Sequence, residues 1–151
     1  AIFGQNVKSL VSLVTMSLLL DDIFDSVFKF TKKLAQEFYF SKWNKTPSHC
    51  PAFDGEIIHV SREGWEHLAL FHKRTRFELL GRFFVLERAK YLLDTATHFQ
   101  QHIRRGEIEF WSFEAEVDGI FIKVIIRSIR GGTKHFYSVI RKGSVHGETE
   151  E

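Results

Sequence analysis

Residues 107–141 read EIEFWSFEAEVDGIFIKVIIRSIRGGTKHFYSVIR, and their apolar and polar positions alternate with a period of two. That period belongs to extended chain with one face buried. Asp118-Gly119 and Gly131-Gly132 interrupt it as two-residue hairpin turns, so 108–117, 120–130 and 133–141 are expected to be three antiparallel strands. With turns that tight, Val117 faces Ile120 and Arg130 faces Thr133, and every other pairing follows. One face then holds Trp111, Phe113, Val117, Ile122, Val124, Ile126, Tyr137 and Val139, a core face on which helices should pack. The other holds Ser112, Glu114, Lys123, Arg127, Lys134 and Ser138, interleaved with Phe110, Phe121 and Phe136. In this register Glu114 lies opposite Lys123, and Arg127 lies diagonal to Ser138.

Upstream the period is that of a helix. Apolar residues after Asp21-Asp22 recur at Ile23, Phe24, Val27, Phe28, Leu34, Ala35, Phe38 and Tyr39, and either Asp is able to cap a helix there. Together with a helix over 7–20, this predicts a helical hairpin in an amino-terminal lobe, residues 1–45. Residues 41–55 carry Pro47, Pro51 and Gly55 and read as a linker. A short strand at 56–60 follows, then a helix capped by Ser61, with Val60 and Trp65 placed as a hydrophobic staple. A long helix is expected over 75–102, ended by Arg104-Arg105-Gly106. The expected architecture is α+β, with helices on one face of a small antiparallel sheet in a domain spanning 56–143, and a flexible tail at 144–151.

The chain has 151 residues, 44% of them hydrophobic and sixteen of them Phe, which is enough for one packed domain and excludes disorder. Cys50 is the lone cysteine, so a disulfide framework is excluded and a reducing compartment, the cytoplasm, is expected. The longest apolar run, 10–20, is interrupted by Ser12, Thr15 and Ser17 and stops at Asp21-Asp22, so no membrane span is expected.

Net charge is only +2, but it is unevenly laid out. Residues 119–143 contain Lys123, Arg127, Arg130, Lys134, Arg141 and Lys142 and no acid, while the tail contains Glu148, Glu150 and Glu151. His72, Lys73, Arg74 and Arg76 form a second basic cluster between two helices. Cations interleaved with aromatic rings suit a polyanion with bases that stack, hence RNA or single-stranded DNA as partner. Lys and Arg also protect strand edges from aggregation, which gives the same composition another meaning.

Cleavage of RNA without a metal requires a base for the 2′-hydroxyl, cations for the phosphorane and an acid for the leaving oxygen. Glu114, Lys123, Arg127 and Ser138, bordered by His135 and Tyr137, supply those residue types, and His67 adds a histidine from the preceding helix. A metal reading would use Asp94, His98 and His102, four residues apart on one helical face, but no Cys pair or acidic cluster joins them, so no metal or cofactor is expected. Gly131-Gly132 lies in a hairpin rather than between a strand and a helix, which argues against a phosphate-cradling nucleotide loop.

The stretches HVSREGWEHLALFHKR, IKVIIRSI and KHFYSVI, over about residues 56–142, resemble the metal-independent nuclease fold shared by barnase, EndoU and RelE-type toxins, in its phage-associated branch. The resemblance implies an endoribonuclease with His67 or His72 as the helix histidine, Arg127 as the strand cation, and Tyr137 or Ser138 as the terminal hydroxyl. It also implies an inhibitor protein of the antitoxin kind as a partner. Two other classes remain open: an RNA-binding module without catalysis, and a partner-binding protein that self-associates through its amino-terminal helices.

Overall fold

The computed structural model describes residues 2–69 and 74–143, with side chains from Asn6 onward. It is an α+β fold whose sheet has six strands in the order β1-β2-β6-β5-β4-β3: Ser48–Cys50 (β1), Glu56–His59 (β2), Gln101–Arg105 (β3), Ile108–Val117 (β4), Ile120–Ile129 (β5) and Lys134–Arg141 (β6). All neighbours are antiparallel except β2 and β6, which run parallel through Ile58↔Lys134 and His59↔His135. The sheet is therefore mixed rather than antiparallel.

The amino-terminal hairpin is instead one helix, α1, Ile2–Glu37. No Gly or Pro occurs between Gln5 and Thr46, so nothing breaks it. Asp in a helix interior costs only about 0.7 kcal/mol relative to Ala. Phe24, Phe28 and Ala35 turn toward the domain, where Phe28 packs on Phe83 with ring centroids 5.9 Å apart. A π-helical turn, Phe38–Trp43, then drives Tyr39 and Trp43 fully into the core, where Trp43 lies 4.8 Å from Phe136.

The expected linker is not a bare connection. It contributes β1, which pairs with β2 through a turn held open by positive φ at Asp54 and Gly55. Ser61 caps the helix Arg62–Ala69 (α2) as expected, its Oγ accepting from Gly64 N at 3.1 Å, and both staple residues, Val60 and Trp65, are buried.

The long helix over 75–102 is replaced by three elements: Arg76–Phe84 (α3), Leu86–Thr95 (α4) and the edge strand β3. Thr75 caps α3 by accepting from Glu78 N. The helix breaks at Val85, and Ala96 turns the chain extended. Gly106, with φ +61°, makes the β3–β4 turn, so Arg104-Arg105-Gly106 closes a hairpin and not a helix. Pairing with β4 outweighs the helical period of 97–102, a cross-strand effect that local propensity does not register.

Asp118 and Gly119 both adopt positive φ, and the β4–β5 register follows expectation, Val117↔Ile120 through Glu114↔Lys123. The β5–β6 turn is centred one residue early, with positive φ at Arg130 and Gly131. Pairing then runs Arg127↔His135 and Ile126↔Phe136 before a bulge restores the expected Ile125↔Ser138 and Val124↔Val139. The extra residue is Tyr137. As a result Phe136, expected on the site face, is core at 1% exposure, and Tyr137, expected in the core, leaves it.

Candidate functional site

The strand registers place Ile103, Phe110, Arg127, His135 and His59 directly opposite one another, in a single row across β3, β4, β5, β6 and β2. Residues paired in this way project from the same face of a sheet. His59 and His135 lie 5.5 Å apart by ring centroid at one end of the row. Arg127 stands in its centre.

Helix α2 forms the wall above this row because it can come unusually close to β6. A Cβ on Gly64 would lie 2.8 Å from the Tyr39 hydroxyl and 2.9 Å from the Phe136 carbonyl oxygen. The Tyr39 hydroxyl locks the entry to the helix, donating to Ser61 O at 2.6 Å and accepting from Ser61 N at 3.0 Å. Burial raises the pKa of that phenol, which stays protonated. Between α2 and the sheet is a cavity of about 360 Å³, lined among others by Glu63, His67, Arg127, Thr133, His135 and Tyr137.

Tyr137 is the hub of the cavity. His67 stacks on its ring at 4.1 Å and 21°, the Arg127 guanidinium lies 4.7 Å from its centroid, and Phe110 meets it edge-on at 5.6 Å. Arg127 also pairs with Glu63 at 3.3 Å; the arginine side chain is 22% exposed and the glutamate 73%. An exposed Glu63 can swing away, leaving the guanidinium to an incoming anion. Thr133 Oγ1 lies 2.9 Å from His135 Nε2 and orients that ring.

Both cavity histidines are held below the ordinary histidine value. Burial is the main cause for His67, reinforced by Arg74, Arg127 and Arg82. Burial is again the main cause for His135, reinforced by His59 and Arg127 and opposed by Glu63. Arg82 lies behind them, its pKa pulled down to about 10 by burial and then by Arg74. Its Nη1 donates to Ser138 Oγ at 2.7 Å and Val139 O at 3.1 Å, bracing β6 just past the bulge.

No family model, curated protein or solved structure matches this chain. Its site is therefore read from its own geometry.

Of the six expected catalytic residues, His67, Arg127, His135 and Tyr137 line the one cavity. Ser138 does not, being 3% exposed and bonded to Arg82. Lys123 lies farther along β5, opposite Glu114, and Glu114 is held by Lys142 at 3.0 Å. Asp94, His98 and His102 share no helix; His102 stacks on Trp111 and bonds Glu109, and no group suited to a metal ion occurs among the described residues.

The expected nucleic-acid contacts are mostly engaged in the fold. Arg74 donates to the His67 and Leu68 carbonyls at the end of α2. Arg76 pairs with Asp25 and covers Phe28. Arg130 pairs with Glu107. Lys134 sits on the other face from Arg127, over the Phe53 and Trp111 rings and paired with Glu56. His72 and Lys73 lie outside the described residues, as does the acidic tail.

Sequence reasoning missed His59, Glu63, Thr133 and Arg82. Glu63 was findable, since its spacing of four from His67 puts both on one face of α2. His59 was not, because only the parallel pairing of β2 with β6 brings it to the row.

Proposed function

We propose that the chain is a metal-independent endoribonuclease acting at the cavity between α2 and β6. The observation that carries this reading is the convergence there of Arg127, Tyr137 and two histidines kept neutral at pH 7. Arg127 exchanges Glu63 for the scissile phosphate and stabilises the charge that develops on its oxygens. His67, surrounded by arginines, takes the 2′-hydroxyl proton as general base. The imidazolium so formed at His67 returns that proton to the leaving 5′-oxygen, while neutral His135, beside Glu63 and opposite Arg127, offers a ring N–H hydrogen bond to the phosphate. Tyr137 fixes the planes of His67 and Arg127, and Phe110 offers a ring for a neighbouring base to stack upon. The products are a 2′,3′-cyclic phosphate and a free 5′-hydroxyl. The stretches HVSREGWEHLALFHKR, IKVIIRSI and KHFYSVI, which resemble sequence of the barnase, EndoU and RelE-type nucleases, point to the same chemistry, and with it to a toxin-like role and a neutralising partner protein. No helix is long and apolar enough to cross a membrane among the described residues, and a buried, unpaired Cys50 suits the cytoplasm.

The test is incubation with total RNA in excess EDTA, with product ends mapped. Cuts ending in cyclic phosphates are expected, and Arg127→Ala should abolish them without altering the thermal midpoint by more than a degree or so. Unchanged cleavage by that variant would remove the proposal.

A further inference from the structure

Between α3 and β6 runs another groove, of about 600 Å³, lined by Phe77, Gly81 and Phe84 from the helix and by Ile140 and Arg141 from the strand. Phe77 is 76% exposed and Phe84 57%, so this stripe of α3 serves no core. Steps of four and three put both rings and Gly81 on one helical face, with the glycine between them. Glycine weakens a helix interior, yet packing does not call for it here, since a Cβ at Gly81 would meet nothing within 4 Å. What it leaves is a slot floored by backbone and walled by aromatic rings, a shape that admits the flat face of a base. Arg88, whose Nε donates to Val117 O at 3.1 Å, lies 5.4 Å from the Phe84 centroid and holds that ring in place.

The groove continues the face that carries the cavity. His135 pairs with Arg127 and Ile140 with Lys123, so Arg127 and Lys123 stand on one side of the sheet, four residues apart along β5. That is about 13 Å at 3.3 Å per residue, within the reach of about four stacked nucleotides at 3.4 Å each. Lys123 and Arg141 form no ion pair among the described residues. Glu114, opposite Lys123, is taken by Lys142 at 3.0 Å. Glu78 is the acid of the lining and is exposed to water. Aromatic surface inside the groove and unpaired cations beside it match single-stranded nucleic acid, whose bases stack while its phosphates are neutralised. We propose that the groove binds one base of the RNA strand as it leaves the cavity, stacked in the slot between Phe77 and Phe84, with Lys123 and Arg141 on the phosphates along the way. This subsite rests on the reading of the cavity as an RNA-cleaving site.

Two substrates separate the subsite from the chemistry: a dinucleoside monophosphate, which spans only the cleaved step, and an RNA of about eight nucleotides, long enough to reach the groove. In excess EDTA both are expected to be cut, the longer with a kcat/KM about tenfold higher, the worth of one stacked base. Gly81→Leu fills the slot where nothing stands in its way, so it should raise the thermal midpoint and remove that gain. Phe77→Ala with Phe84→Ala should remove it as well. A gain that survives in both variants overturns the subsite and leaves the cavity's chemistry standing. Cleavage of neither substrate overturns the ribonuclease reading instead, and binding of a 2′-deoxy oligonucleotide of the longer length then decides the groove. A Kd weakened about tenfold by Gly81→Leu upholds it as a nucleic-acid subsite, and an unchanged Kd overturns it in favour of a protein partner.

Discussion

At Tyr137 one extra residue in β6 decides which ring enters the core and which lines the cavity. Without the bulge, Tyr137 would take the place of Phe136 against Trp43, and His67 would lose the ring it stacks on. The histidines around it carry a pH signature whose sign is fixed. Both folded pKa values lie below 6.5, so on acidification the unfolded chain takes up protons first. Stability is therefore undiminished above 6.5 and falls as the pH drops from there through the lowered folded values, levelling off beneath them. Guanidinium midpoints measured across this range should fall less steeply for His67→Gln with His135→Gln than for the parent, and equal slopes would refute the assignment. Cleavage should persist to a lower pH than an ordinary histidine base allows, with its acid limb lost in His67→Gln. At this scale the residue types of the site were legible, because Arg, His and Tyr interleave in a strand. Their faces were not: a bulge leaves no mark in the alternation, so Phe136 and Tyr137 exchanged places.

Helix α2 owes its position to the missing side chain at Gly64. A methyl group there would meet the Phe136 carbonyl, a backbone atom that cannot rotate away, as well as the Tyr39 hydroxyl. Gly64→Ala should cost about 1–3 kcal/mol, the usual range for overpacking, seen as a lowered midpoint in thermal unfolding. It should also depress cleavage more than a stability loss explains, because Glu63 and His67 move with the helix. A variant as stable and as active as the parent would show that the close approach is dispensable. The local signals of this element were readable, since Ser61, Val60 and Trp65 act within a few residues of one another. Those of 75–102 misled. Its helical period is real as far as Thr95, but β3 exists only because Gln101, His102 and Ile103 find Ser112, Trp111 and Phe110 on another strand. Likewise Asp21 and Asp22 are good caps in isolation, yet no glycine or proline beside them ends the helix they sit in.

Over the whole molecule, folding undoes the charge segregation so prominent in the sequence. The acid-free segment 119–143 meets acids from elsewhere: Arg127 pairs with Glu63, Arg130 with Glu107, Lys134 with Glu56 and Lys142 with Glu114. Lys123 and Arg141 are its cations without an ion pair among the described residues. A basic run read along the chain therefore overstates the field offered to a polyanion, since pairing partners distant in sequence are invisible to a segment count. The consequence is measurable as salt dependence. Single-stranded nucleic acid loses affinity with a log–log slope of about −0.7 per phosphate neutralised, so six cations acting together would give about −4, and Arg127 with the two unpaired ones about −2. Binding of a 2′-deoxy oligonucleotide, which has no hydroxyl to attack, separates these outcomes free of cleavage. The shallower slope is expected, and Arg127→Ala should reduce it by about 0.7 more, the share of one contact. A slope near the steeper value would mean that the four ion pairs open on binding, and that RNA is gripped by the entire hairpin rather than by the cavity.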